Sequence, residues 1–243
     1  MPVRLSARGC TLLKLYLDAL PLLLRSPALL LAPLFTGVLG VLVEMFSAPS
    51  LGGDALSGLS AGILSLLIFL FNCFGLGISV IIADNIWRTG KGSFEDGWEQ
   101  GRRKAGDIFM ASLGLNFIVY VALQIGSFIS PILGEALFVI AFFFLIYTIP
   151  AAAIGGIPGF MSLNTSIERV REDYVPAIGL AVFFVLFYWG LGTVLIPSYA
   201  INFGMSPTVS FLIAAAFRAI VLGYFALVLA RSYTNVAFAR RRF

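Results

Sequence analysis

Six long apolar runs, separated by short polar connections, dominate the chain. They cover residues 27–46, 59–83, 108–125, 135–155, 174–196 and 210–230. A bilayer's hydrocarbon core is about 30 Å thick, and a helix rises about 1.5 Å per residue, so a run of about 20 residues crosses it. Lipid cannot satisfy open backbone groups, and the runs lack the two-residue alternation of barrel strands, so the spans must be helices. The expected fold is an all-α membrane protein of six transmembrane helices, a single polytopic domain over 1–243.

Three of the polar segments carry a helical period of their own. Phe94, Trp98, Gly101 and Ala105 fall on one helical face, and Ser93 with Asp96 forms a capping-box pattern at the start. A shift of 69 residues brings the pattern back as Leu163, Ile167, Val170 and Tyr174, with Ser93 mapping to Ser162 and Arg102 to Arg171. Leu13, Leu17, Leu20 and Leu24 repeat it within an N-terminal segment, 8–24. These segments predict amphipathic interfacial helices lying in the headgroup plane. The two repeats run in the same direction, which argues against the inverted repeats of many secondary transporters.

Charge sets the expected orientation. Fifteen of the sixteen Lys and Arg residues fall in the N-terminal segment, in the second-to-third and fourth-to-fifth connections, and in the tail. The intervening connections carry none, so the positive-inside rule places both termini in the cytoplasm, with the chain in a plasma (inner) membrane. Arg4, Arg8 and Lys14 resemble the charged region of a signal peptide. No small-residue cleavage site follows, so the segment is expected to stay in the chain.

Composition narrows the chemistry. The chain has 60% hydrophobic and 12% charged residues and no His, which removes the commonest general base, metal ligand and haem ligand. Cys10 and Cys73 read as unpaired thiols. Glu95, Asp96 and Glu99 share a short segment with basic residues and read as a solvated face. The expectation is a protein that is not an enzyme and carries no metal and no cofactor.

Three features stand out as candidate sites. Arg218, the sixteenth cation, sits inside the sixth apolar run, where a central arginine costs about 2.5–3.5 kcal/mol on insertion scales. The leading reading is an intramembrane ion pair with Glu44 or Glu135; snorkelling alone, or an ion or lipid-phosphate site, are the alternatives. Pro150, Gly155, Gly156 and Pro158 mark a helix break at the end of the fourth run, read as a kink and an exit. Trp87, Arg88, Lys91, Trp98, Arg102, Arg103 and Lys104 crowd the second connection. A basic patch with tryptophans suits anionic headgroups or a protein partner. Its mixed charge and short length exclude nucleic acid.

Tyr147-Thr-Ile-Pro150, followed by the stretch from Ser162 to Arg171, and the earlier element Gly92-Ser-Phe-Glu-Asp-Gly97 give the chain a resemblance. In layout it resembles six-span membrane proteins related to the membrane domain of glycerophosphodiester phosphodiesterases. The resemblance implies the architecture. The phosphodiesterase catalytic domain has no counterpart in these residues, so it implies no hydrolase activity. The functional expectation is a non-catalytic integral membrane subunit or scaffold that works with other membrane subunits; the alternative is a small solute or ion permease or channel.

Overall fold

The computed structural model describes the backbone of residues 4–47 and 55–240, and the side chains of 13–42 and 63–235 apart from 199 and 201. Among these residues every regular element is helical. Five helical segments are long and apolar enough to cross a membrane: Ile63–Thr89, Ala105–Ser127, Pro131–Ala153, Tyr174–Ser198 and Pro207–Asn235. A sixth candidate is a bent pair, Leu13–Arg25 with Ala28–Leu42, whose halves meet at 81°. The chain is therefore an all-α, multi-pass membrane protein. The bend belongs to α1 (Arg4–Arg25) and α2 (Ala28–Ser47), and it falls at Ser26-Pro27, between the N-terminal segment and the first apolar run.

Two long helices organise the bundle, α3 (Ala55–Thr89) and α11 (Pro207–Arg240). The apolar runs predicted 59–83 and 210–230, and both helices continue past them into the basic segments. Roughly 50 Å of helix results from their 35 and 34 residues. Gly90 ends α3 in the left-handed region, with φ of +77°, and its N–H donates to the Ile86 carbonyl at 2.9 Å. The largest core cluster lies where these helices cross towards their basic ends. It joins Ile78, Ile81, Ile82 and Ile86 of α3 to Phe225 and Leu227 of α11 and to Tyr147 beside α7 (Thr148–Ala153). Trp87 pins the crossing, donating from Nε1 to the Leu227 carbonyl at 2.9 Å.

The 69-residue repeat is visible in the helix boundaries. α4 (Phe94–Arg103) ends 69 residues before α8 (Met161–Glu172), and α5 (Ala105–Ser127) starts 69 residues before α9 (Tyr174–Phe183). The faces turned inward share only Gly101 and Val170 with the expected stripes. Gly97 and Gly101 of α4, and Ser162, Ser166 and Val170 of α8, are the buried positions. Gly97 and Ser166, like Gly101 and Val170, are again 69 apart. Small side chains let these helices approach closely: a Cβ at Gly101 would stand 2.8 Å from Ile78 Cγ1. Trp98 stays half-exposed and packs against Phe94 and Phe74. The Ser93 side chain makes no cap hydrogen bond; the Gly97 N–H goes to its backbone carbonyl instead.

The fourth run breaks one turn earlier than the Pro150 signal places it. α6 (Pro131–Phe144) stops before Leu145, Ile146 and Tyr147, which turn the chain into α7. Pro150 lies inside α7, fully buried. A proline offers no N–H to the carbonyl four residues back and crowds it sterically, so the disruption falls on the preceding turn, at residue 146. Gly155, Gly156 and Pro158 then form the exit, with Gly156 at φ +67°. Gly155 also has a packing role, because a Cβ there would collide with the Tyr233 hydroxyl.

Candidate functional site

The fifth span changes geometry midway. Phe184–Leu195, between α9 and α10 (Ile196–Asn202), is a π-helix. Such turns are rare beyond single bulges and recur at functional sites. The five-residue reach of the wider turn is visible at Thr193, whose Oγ1 donates to the Tyr188 carbonyl at 3.2 Å. Stacked rings line its flank, Phe183 on Phe187 at 4.8 Å and Phe184 on Tyr188 at 4.7 Å. Gly192 lies against α11, where a Cβ would stand 2.7 Å from Arg218 Cγ. This glycine gives the arginine stem its place between the two spans.

Arg218 lines a cavity of about 30 Å³ with Thr36, Asn72 and Tyr188 as its polar neighbours. Gly37, Gly40 and Ala215 supply much of the remaining wall. A Cβ on Gly37 would lie 3.5 Å from Ala215 Cβ, so the small residues set how closely α2 and α11 approach. Asn72, Tyr188 and Arg218 each lie within about 6 Å of the midpoint of their own span, counted at 1.5 Å per residue. All three are displaced away from the basic end. Four polar side chains from four helical segments thus converge near mid-depth.

Their bonding is incomplete. Thr36 Oγ1 donates to the Pro33 carbonyl at 3.2 Å. Among the described residues, the side chains of Asn72, Tyr188 and Arg218 make no hydrogen bond or ion pair. Glu135 stands exposed near the start of α6 and does not pair with Arg218. The arginine lines its cavity with residues of α2 and α3, and its stem lies against Gly192. The Glu44 side chain lies outside the described residues.

The basic end of the bundle is cross-linked by its own polar groups. Lys104 Nζ donates to the Ala153 carbonyl at 2.7 Å, closing the C-terminal end of α7. Asp107 Oδ1 accepts from the Gly159 N–H at 3.2 Å. Ser166 Oγ donates to the Phe144 carbonyl and accepts from the Tyr147 N–H, at 2.9 and 3.0 Å, which bridges the broken turn of the fourth span. The Tyr147 hydroxyl meets Ser232 Oγ at 2.7 Å. Arg169 Nη1 donates to the Tyr233 carbonyl at 3.0 Å while its guanidinium lies 3.9 Å from the Tyr233 ring centre.

The crowded second connection therefore divides into two sets. Trp87 and Lys104 turn inward as fasteners, and Arg231 lies over the Trp87 ring at 5.3 Å. Arg88, Lys91, Trp98, Arg102 and Arg103 remain on the surface. Arg88 pairs with Asp84 at 2.8 Å, and Arg102 and Arg103 both reach Glu99, at 3.0 and 3.1 Å. The Arg103 hydrogen bond, reinforced by the charge of Arg102, holds the Glu99 carboxyl below its usual pKa.

The sequence pattern singles out Arg218 but not its polar neighbours. Asn72 had a readable signal, as a strongly polar residue in the middle of an apolar run. Tyr188 had none, because tyrosine is ordinary in an aromatic-rich span and the π-helix that places it leaves no periodic mark. No described cluster of His, Cys, Asp and Glu could hold a metal ion. No family model, curated protein or solved structure matches the chain.

Proposed function

We propose that the chain is a non-catalytic integral membrane subunit, a scaffold that seats another membrane protein against its fifth span. The observation that carries this reading is the exposure of that span. Only 17% of the most apolar window of Tyr174–Ser198 is buried, against 67% for Pro207–Asn235. Leu186, Phe187, Trp189, Val194 and Leu195 all project outward from its π-helical part. Aromatic and aliphatic side chains of this kind supply the packing that holds helices together in lipid. The polar groups of the basic end are occupied in internal fastening, which suits a rigid support better than a reaction centre.

In this proposal both termini face the cytoplasm of a plasma (inner) membrane, on the strength of the charge asymmetry. Arg88, Lys91, Trp98, Arg102 and Arg103 then meet anionic headgroups. Extraction in a mild detergent followed by native electrophoresis tests the subunit reading. The expected result is one discrete assembly larger than the chain; a chain that migrates only as a monomer contradicts it.

The permease alternative rests on the broken fourth span and on Arg218 with its cavity. At about 30 Å³ that cavity has room for only a few water-sized occupants, too little for an organic solute. Flux through proteoliposomes no greater than through empty vesicles removes that alternative.

A further inference from the structure

The mid-depth cavity is lined on its polar side by donors. The Arg218 guanidinium has five N–H groups and a fixed positive charge, the Asn72 amide has two N–H groups, and the Tyr188 hydroxyl has one O–H. None is spent on a described protein partner. The Thr36 hydroxyl proton is already committed to the Pro33 carbonyl. Among the described residues, no carboxylate lines the cavity. A charge at this depth is expensive unless something compensates it.

We propose that this cavity binds a single halide-sized anion, chloride, held by the Arg218 guanidinium, the Tyr188 hydroxyl and the Asn72 amide. Size selects the ligand. Room for only a few water-sized occupants admits a monatomic anion and leaves little space for an organic phosphate ester. Depth excludes a lipid headgroup as the source of negative charge. The hydrocarbon boundary lies about 15 Å from the bilayer centre, while the backbone positions that carry the donors lie within about 6 Å of mid-span. Glu44 follows Gly40 by one helical turn on α2, so its carboxylate is the rival counter-ion that the experiment must separate from chloride. The glycines around the site keep the room open. Gly192 leaves space for the Arg218 stem, and Gly37 and Gly40 face the cavity from α2.

The test is a chloride NMR linewidth titration on the purified full chain in lipid nanodiscs, with bromide and gluconate as competitors. Wild type is expected to give saturable excess line broadening that bromide displaces and gluconate does not. Arg218→Gln abolishes it. Tyr188→Phe and Asn72→Leu, which keep side-chain volume but delete a donor, each weaken apparent affinity about tenfold, as expected for one lost hydrogen bond to an anion. If Arg218→Gln does not fold, those two variants carry the test. Glu44→Gln leaves binding unchanged. Broadening in wild type no greater than in the donor-deleted variants means that the cavity holds water only, and overturns the proposal. Binding that appears only in Glu44→Gln makes that carboxylate the resident counter-ion, with the same consequence.

Discussion

Arg169 is the residue on which the basic end of the bundle can be tested most sharply. It comes from α8, yet both of its anchors belong to Tyr233 of α11: the backbone carbonyl at 3.0 Å and the ring face at 3.9 Å. Arg169→Met keeps much of the aliphatic stem and deletes both interactions. A hydrogen bond from a charged donor is worth about 1.5–3 kcal/mol in soluble proteins. Interhelical side-chain bonds in membrane proteins average nearer 0.6 kcal/mol. A partly desolvated cation–π contact adds about 1–2 kcal/mol. The two interactions share one guanidinium and do not simply add, so the expected loss is about 2 kcal/mol. Arg169→Lys keeps the charge without the planar fork and should lose about half as much. Equilibrium unfolding in mixed micelles with a rising fraction of denaturing detergent, followed by tryptophan fluorescence, measures both. A double-mutant cycle with Tyr233→Leu should give a coupling of about 1 kcal/mol, the share attributable to the ring. If Arg169→Met unfolds within about 0.5 kcal/mol of wild type, the fastening described here does not hold α8 to α11.

Gly97→Val should destabilise by about 1–3 kcal/mol, because its Cβ meets Ile82 where α4 lies on α3. Gly106→Ala, with nothing within 4 Å of its Cβ, should be neutral or gain up to about 1 kcal/mol in the same assay. Glu99 has its folded pKa depressed by Arg103 and Arg102. Its contribution is therefore present above the unfolded carboxyl pKa and lost as pH falls through the folded value. Thermal midpoints of wild type and Glu99→Gln should differ slightly at neutral pH and converge below the ordinary carboxylate range; a constant gap contradicts this. A cysteine at Lys91 should react with a membrane-impermeant maleimide only in inverted vesicles, and one at Gly204 only in intact cells, and the reverse pattern inverts the proposed topology.

Span positions were legible because hydrophobic length is a property of composition. The third run, 108–125, falls inside α5, and the sixth falls inside α11. The 69-residue offset was also legible and reappears in two pairs of helix boundaries. The inward faces of α4 and α8 were legible only at Gly101 and Val170. A periodicity argument weights large apolar residues, whereas close approach between helices also selects Gly97, Ser162 and Ser166. The break in the fourth span was legible in kind but displaced, because a proline acts on the turn before it and the visible glycines follow it. At the candidate site the charge was legible and its setting was not. Arg218 is conspicuous as a lone cation, but its neighbours depend on a π-helix that shifts which residues of the fifth span face α11. Trp87 and Lys104 show the converse, since side chains suited to a headgroup surface serve as internal fasteners once a backbone carbonyl lies within reach.

The proposed role of the fifth span as a seat for another membrane protein is open to direct test. A photo-crosslinking residue placed at Leu186 or at Trp189, both exposed on that span, tests it directly in intact membranes. Phe117, exposed on α5, serves as the control position. One discrete protein adduct is expected from the two fifth-span positions and none from Phe117. Adducts only to lipid at Leu186 and Trp189, or the same protein adduct from all three sites, contradict it.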